Sequence, residues 1–434
     1  MADGAKFQSE LYIKALEKIE KLTDPSSFSQ VGAYVECDNV LAGFATVDTR
    51  PCYIYCQYGP VTPAHGEKIL RIYKMAVSMG SPVISILDCE GINIDAGMEV
   101  LAAYGDIFTT MADASGVIPQ ISLIYGKCMG ANAVISGLSD FSFGLKDTQL
   151  FIQSPNTAED IKSIGVDKFM DSAYHFNESG QLNFLYDNET TLNSGFKQLW
   201  GFLPSNNLEE APMLLGNDME SDTALISAGM NPDEIVKALS DNGDCIQLCA
   251  GYGTEVTAFF ARFEGCTALC LVSSGNIGKA GIDKIVKLAA FSNAFNIPIV
   301  TLTNAKGFGM SVADQTNAVS GVAALSYVFS NASVPKVNII IGDSIGLAGL
   351  VLNSKFIGAD LVYAWPTANM ALFTKEAAKV LGASETNTNA ALEKGYVDEI
   401  IEPSDTKKYI SRAIENLSTK RVSKHPKKHG SICF

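Results

Sequence analysis

The sequence predicts an α/β protein of two tandem domains related by internal duplication. The chain contains itself twice: Pro82 recurs as Pro298, Gly91 as Gly307, Pro119 as Pro335, Gly126 as Gly342 and Gly130 as Gly346, all at an offset of 216 residues. The text around these positions repeats in kind. SPVISILDCEG answers IPIVTLTNAKG, LIYGKCMGANA answers IIIGDSIGLAG, and GFATVDT (43–49) answers FFARFEG (259–265). A period this long marks a duplicated domain, because solenoid units run roughly 20 to 50 residues. Within each copy, Ile/Val/Leu-rich runs alternate with helical periodicities, the pattern of a parallel sheet with crossover helices. At 434 residues the chain also exceeds what one core usually supports.

Taken in order, residues 8–24 read as an amphipathic helix, and an alternating strand region follows at about 31–56. EKILRIYKMAVSMG (67–80) has helical spacing and leads into a buried strand at 82–88. GMEVLAAYGDIFTTMADAS (97–115) is a second helix, followed by a strand at 120–125 and a small-residue helix from Ala131 to Gly137. The second copy predicts helix 282–296, strand 298–303, helix 314–331, strand 336–341 and a helix from Leu347 onward. Between the copies, DNETTLNSG, LPSNNLEEAP and GNDMESD are rich in Asn, Asp, Ser and Pro, the chemistry of a boundary. The expected domains are therefore 1–200 and 236–434, joined by a connector at 201–235. The tail RVSKHPKKHG (421–430) concentrates positive charge and reads as solvated chain.

Composition narrows the function. Apolar content of 47% with only 18% charged residues implies much buried surface, for which a subunit interface is the simplest reason. A net charge of −15 argues against a nucleic-acid partner. No stretch reaches the ~18 to 20 apolar residues of a membrane span, and the N-terminal region lacks a signal peptide's apolar core, so a cytoplasmic protein is expected. Ten cysteines include the pairs Cys52/Cys56, Cys245/Cys249 and Cys266/Cys270 inside apolar runs with no histidine near. They read as buried thiols, and no metal is expected.

Each copy runs an apolar strand into Gly-x-x-x-Gly and then directly into a helix. Such a turn leaves free N–H groups at the helix start, able to hold a phosphate, a carboxylate or a developing oxyanion. A purely structural role for Gly130 and Gly346 in a tight turn stays open at this point. The side-chain catalysts, by contrast, are missing. There is no G-x-S-x-G or H-E-x-x-H, and of the histidines His65, His175, His425 and His429, two lie in the tail. His65 and His175 read as surface residues, and Asp88 and Asn304, at equivalent strand ends, as loop anchors.

These residues carry a resemblance. ASGVIPQISLIYGKCMGANAVISGLSDFSFGLKDT (114–148), NAFNIPIVTLTNAKGF (293–308), VPKV (334–337), YAWPTANMAL (363–372) and PKKHG (426–430) stand in the order seen in carboxyltransferase subunits of biotin-dependent acyl-CoA carboxylases and decarboxylases. The chain resembles that family, of the propionyl-CoA carboxylase beta and methylmalonyl- or glutaconyl-CoA decarboxylase alpha type, over nearly its whole length. The resemblance implies two crotonase-like domains in a hexamer or dimer. It implies an acyl-CoA substrate and biotin on a separate carrier protein, with a biotin carboxylase subunit or a membrane decarboxylase pump as further partner. In the family mechanism biotin itself acts as base, so the protein supplies oxyanion holes. By resemblance Gly130 and Ala131 hold the thioester oxygen, and Gly346, Leu347 and Ala348 the biotin ureido oxygen. Gly91, Ile92, Gly307 and Phe308 fall at the matching substrate-binding positions.

The chain departs from the family pattern at these loops. Gly-Gly becomes Gly130-Ala131 and Gly346-Leu347, the glycine-rich loop shortens to YGPVTPAHG (58–66), and Ser-Gly-Gly-Ala-Arg becomes Cys89-Glu90-Gly91-Ile92-Asn93, without arginine. An Arg-His-Gly appears as Val319-Ser320-Gly321. Two other readings therefore stay open beside carboxyl transfer: a non-catalytic subunit paired with an active paralogue, and a crotonase-type hydratase or hydrolase using Glu90.

Overall fold

The computed structural model describes residues 10–33, 39–59, 61–89, 97–153, 170–214, 226–382, 388–427 and 430–431. The chain divides into two compact units, Met1–Glu209 and Glu210–Phe434. Among the described residues no helix is long and apolar enough to cross a membrane.

In the first unit, α1 (Glu10–Leu22) buries Ala15, Ile19 and Leu22. It is followed by β1 (Ser29–Gln30), β2 (Val40–Val47) and β3 (Arg50–Gln57), with β2 antiparallel to both β1 and β3. The β2–β3 turn is Asp48-Thr49, both left-handed at φ 48° and 67°, the two-residue geometry that matches strand twist. The unfavourable backbone is held by Asp24, whose carboxylate accepts the N–H groups of Asp48 and Thr49 at 3.0 and 2.8 Å. Next come α2 (Pro63–Met79), β4 (Val83–Cys89), α3 (Met98–Ala114), β5 (Gln120–Met129), α4 (Ala131–Leu138), β6 (Phe141–Leu145), β7 (Gln149–Phe151), α5 (Ser172–Asn177), β8 (Phe184–Tyr186) and α6 (Glu189–Phe202). Strand order among the described residues is β1-β2-β3-β4-β5-β6-β8, with β7 beside β5. The predicted parallel sheet holds from β3 to β8. Ile69 and Ile72 of α2 and Ile107 and Met111 of α3 share one core with Val83 and Leu87 of β4.

The second unit opens with α7 (Pro232–Leu239), β9 (Cys245–Leu248), β10 (Val256–Phe263), β11 (Cys266–Ser273), β12 (Gly275–Ile277) and α8 (Lys279–Ala294). It continues with β13 (Ile299–Phe308), α9 (Val312–Asn331), β14 (Lys336–Ile345), α10 (Gly346–Val351), β15 (Leu361–Ala364) and β16 (Asn369–Ala371), and closes with α11 (Lys375–Leu381), α12 (Thr388–Glu393), β17 (Glu399–Ile400) and α13 (Thr406–Leu417). Strand order is β17-β15-β14-β13-β11-β10-β9, with β12 beside β13 and β16 beside β14. The hairpin recurs: β10 and β11 turn through Glu264-Gly265 at φ 50° and 80°. A second-domain boundary at 236 would cut α7, whose Ile235, Val236 and Leu239 lie in this unit's core. The unit therefore begins earlier than its charged and polar approach suggested.

The basic tail is not simply solvated. Lys424 Nζ donates to Ser330 O at 2.8 Å, Lys427 Nζ to Asn331 Oδ1 at 2.6 Å, and buried Lys336 Nζ to Phe329 O at 2.6 Å. All three acceptors belong to residues of the last turn of α9; two are backbone carbonyls, which lack intrahelical partners there, and the helix dipole favours cations at this end. Lys420 adds an ion pair to Asp360 at 2.7 Å. Burial, reinforced by Lys420, pushes the Lys336 ammonium down to about 8.

Strands β5 and β14 run four residues beyond their predicted ends, through a register jump at the same place in both units. Leu87 pairs with Ile124, but Cys89 pairs with Cys128; Thr303 pairs with Ile340, but Ala305 pairs with Ser344. Two extra residues are thereby inserted opposite Asp88 and opposite Asn304, an enlarged form of the bulge that re-aims strands beside active sites. The duplicated glycines explain how this fits. A Cβ on Gly126 would stand 2.2 Å from Asp88 Oδ1, and one on Gly342 would stand 2.4 Å from Asn304 Oδ1. Gly126→Ala is expected to destabilise the first unit by about 1–3 kcal/mol, read as a lowered melting midpoint; an unchanged midpoint would refute this packing argument.

Candidate active site: two strand-to-helix turns

At the end of β5, Gly130 adopts φ 62° and ψ −130°, a conformation that a residue with a side chain rarely takes, and α4 begins at Ala131. The Gly130 N–H donates to Phe151 O of β7 at 2.9 Å. Of the two amides expected at this turn, Gly130's is therefore engaged, and Gly130 serves as the hinge. Ala131 and Asn132 are the first two residues of the helix, so their N–H groups have no intrahelical acceptor. The sequence reading missed Asn132. It is fully buried, and its Oδ1 accepts from the Tyr104 hydroxyl at 2.9 Å, tying the first turn of α4 to α3. Burial raises the Tyr104 pKa, so the hydroxyl stays a donor.

The second turn repeats the plan. Gly346 has φ 56°, and an added Cβ would also meet Leu372 O at 2.9 Å, so both backbone and space demand glycine. Gly346, Leu347 and Ala348 form the first turn of α10. Gly346 and Leu347 open onto a cavity of about 500 Å³ whose walls also include Leu350, Phe356, Lys394 and Tyr396, while the Ala348 side chain is buried behind them. That volume lies within the ~300–1,000 Å³ range of small-molecule sites, and the walls are mostly apolar. Leu347 is 53% exposed, so its side chain stands at the edge of this space rather than filling it.

The remaining expected residues are distributed differently. Gly91 and Ile92, together with Glu90, lie outside the described residues. Gly307 and Phe308 end β13 and pair with Asn276 and Ile277 of β12. Asp88 and Asn304 act as anchors: Asp88 Oδ2 pairs with Lys18 Nζ at 2.8 Å, and Asn304 Oδ1 accepts Asp343 N–H at 3.0 Å. Cys52, Cys56, Cys249 and Cys270 are buried and outside any disulfide, whereas Cys245 and Cys266 are partly exposed. Burial pushes the Cys52 and Cys56 thiols up to about 12, which leaves them unreactive. Among the described residues no cluster of His, Cys, Asp or Glu could hold a metal ion. The arrangement presents backbone donors at two places, with Ser344, Lys394 and Tyr396 as the polar side chains lining the second.

Residues 15–386 match the carboxyl transferase domain. The chain belongs to the carboxyl transferase family. It is 32% identical to the methylmalonyl-CoA decarboxylase subunit alpha of Veillonella parvula, over 96% of this chain and 92% of that one. It is 31% identical to the mitochondrial propionyl-CoA carboxylase beta chain of Mus musculus, over 97% of this chain and 88% of that one. The fold superimposes on the transcarboxylase 12S crystal structure, described as a hexamer and bound to hydrolysed methylmalonyl-coenzyme A. The TM-score is 0.92 at 29% identity, covering 97% and 92% of the two chains. The two tandem domains are thus crotonase-like. The hydratase and non-catalytic readings are not favoured by these relatives.

In this carboxyl transferase His65 and His175 are held in structural roles rather than placed as bases. His65 corrects the expectation of a surface residue: it is fully buried near the start of α2, and its Nε2 accepts from Gln57 Nε2 at 3.0 Å. Burial, with a smaller contribution from Lys68, holds its pKa down to about 3. His175 is bonded to Leu150 O at 2.6 Å and to Ser179 Oγ at 3.0 Å. Because folded His65 stays neutral while the unfolded side chain titrates near 6.5, its contribution is complete above pH 6.5 and is lost as pH falls toward 3. Between pH 6.5 and 4.5 this is worth roughly 2–3 kcal/mol. His65→Gln is therefore expected to show a smaller fall in melting temperature than wild type over that interval; an identical fall would contradict the assignment.

Proposed function

We propose that the protein moves a carboxyl group between biotin borne on a separate carrier protein and an acyl-CoA thioester, working as a homo-oligomer, a hexamer by analogy with transcarboxylase 12S. The observation that carries this reading is the paired turn. Two carbonyl oxygens, one on each substrate, need stabilisation as charge develops, and the chain has two glycine-hinged helix starts. The Ala131 N–H is assigned to the thioester oxygen, with Gly130 supplying the turn, and the Leu347 and Ala348 N–H groups to the ureido oxygen. The largely apolar cavity beside Leu347 suits a compact bicyclic ring.

Biotin, when delivered, supplies the acid–base chemistry. The chain's residues need only fix and polarise the reacting carbonyls, which accounts for a site without a catalytic His, Cys or Ser among its described parts. Oxyanion donors of this kind are typically worth about 3–4 kcal/mol each. Their advantage over side chains is rigidity, since the donors are part of helices pinned to the sheet.

Two measurements test the proposal. Wild-type protein incubated with methylmalonyl-CoA and free biotin is expected to release propionyl-CoA; no transfer from methylmalonyl-, malonyl- or glutaconyl-CoA would refute it. Ala131→Pro deletes the N–H while leaving the fold, because proline is favoured at the first helical position and Gly130, at ψ −130°, is already outside the helical region as the residue before proline requires. It is expected to lower kcat by about 10²–10³-fold with an unchanged melting temperature. Retained activity would remove Ala131 from the site.

A further inference from the structure

In each unit a buried chain of polar side chains that the mechanism does not use runs between the central strands and the far end of the helix that the turn begins. In the first unit Ser85 Oγ lies 2.7 Å from Ser122 Oγ, which lies 2.6 Å from Ser139 Oγ, and Ser139 Oγ donates to Ile135 O at 3.0 Å. These serines belong to β4, β5 and the residue that closes α4. In the second unit Thr301 and Thr303 Oγ1 donate to Asn338 Oδ1 at 2.9 and 2.8 Å, while Asn353 Nδ2 donates to Thr301 Oγ1 at 3.2 Å and to Val337 O at 3.1 Å. Here the elements are β13, β14 and the segment just after α10. All seven side chains are 5% exposed or less.

The two chains of contacts are counterparts. Ser85 and Thr301, and Ser122 and Asn338, stand at the duplication offset of 216. Ser85 Oγ also approaches Ile121 O at 3.2 Å, and Thr301 Oγ1 approaches the equivalent Val337 O at 3.4 Å. In each unit the two central strands thus reach, through polar groups, the far end of the short helix whose first amides form the turn. Both the Ala131–Leu138 helix and the Gly346–Val351 helix are too short to be rigidly oriented by one end alone. In a core otherwise packed with Ile, Val and Leu, these directional bonds define an angle that apolar contacts do not.

We propose that these two clasps position the oxyanion helices, making Ser122 and Ser139 positioning residues for the acyl-CoA side and Asn353 a positioning residue for the biotin side. The inference rests on the carboxyl-transfer reading. Displacing a reacting group by about 1 Å can lower a rate by roughly 10²-fold, so a clasp that permits a fraction of that displacement is expected to act on turnover.

Two variants break the clasps without orphaning a donor. Ser122→Ala leaves Ser85 its contact to Ile121 O and Ser139 its bond to Ile135 O. Asn353→Gly removes the amide while suiting the left-handed backbone, φ 51°, at that position. Ser142→Ala is the matched control: Ser142 is equally buried and its hydroxyl donates to Gln181 O, but it lies on β6 outside the clasp. Each is assayed for carboxyl transfer from methylmalonyl-CoA to free biotin, with melting temperatures recorded. The expected result is a kcat lowered about tenfold in Ser122→Ala and Asn353→Gly, with KM for both substrates within about twofold, and a kcat near wild type in Ser142→Ala. A kcat in the clasp variants equal to wild type, or lowered no more than in the control, would overturn the clasp while leaving the function intact. An inactive wild type would instead overturn the function, and the clasp with it.

Discussion

The close approach of a polar side chain to a glycine on the neighbouring strand is the constraint on which both units depend. Asp88 against Gly126, and Asn304 against Gly342, mark where each central strand gains two residues on its neighbour. Without that gain β5 and β14 would have no room for the extra stretch that ends in Gly130 and Gly346. The register jump, the turn and the helix start therefore form one object. A sheet with uniform register would carry the helix of each unit to a different place, and the amides of its first turn with it.

Building the site from backbone has energetic consequences. N–H groups do not titrate in the physiological range, do not rotate away, and need no proton supplied or removed, so electrostatic stabilisation comes without reorganisation during the reaction. The requirement is transferred to whatever holds each helix. In the first unit α4 is tied at its start by Tyr104 through Asn132 and at its end by Ser139. In the second, α10 is followed immediately by Asn353, fixed to β13 and β14. The long helix α9 is held by a separate device, the lysines gathered at its last turn.

Much of this was legible in the sequence, and what was not has definite causes. The duplication, the alternating elements and the two turns could be read directly because glycine and proline positions repeat without a gap. The reason for Gly126 and Gly342 could not, since it lies in a side chain on another strand and a register jump has no local signal. The engagement of the Gly130 N–H depends on β7, whose pairing with β5 no periodicity announces. His65 read as a surface residue because no partner chemistry surrounds it in the sequence, yet Gly66 beside it lets α3 approach, with Ala103 Cβ 2.8 Å from where the Cβ of residue 66 would be. The second clasp was hidden by the repeat itself: Asn353 and Ser139 do the same work at a spacing of 214 rather than 216, so the alignment passes over them.

The pairing of a glycine with the side chain it admits also orders the routes open to this protein in evolution. While Asp88 is present, almost any replacement of Gly126 places an atom inside the carboxylate. Were position 88 first to become a smaller residue, the 2.2 Å contact that blocks the replacement would be removed. The two positions are thus epistatic, and one order of change is passable where the other is blocked. The second copy shows that the polar member can vary, Asn304 standing where the first has Asp88, while the glycine stays. Between the two copies of this segment, then, the polar partner differs and the glycine does not.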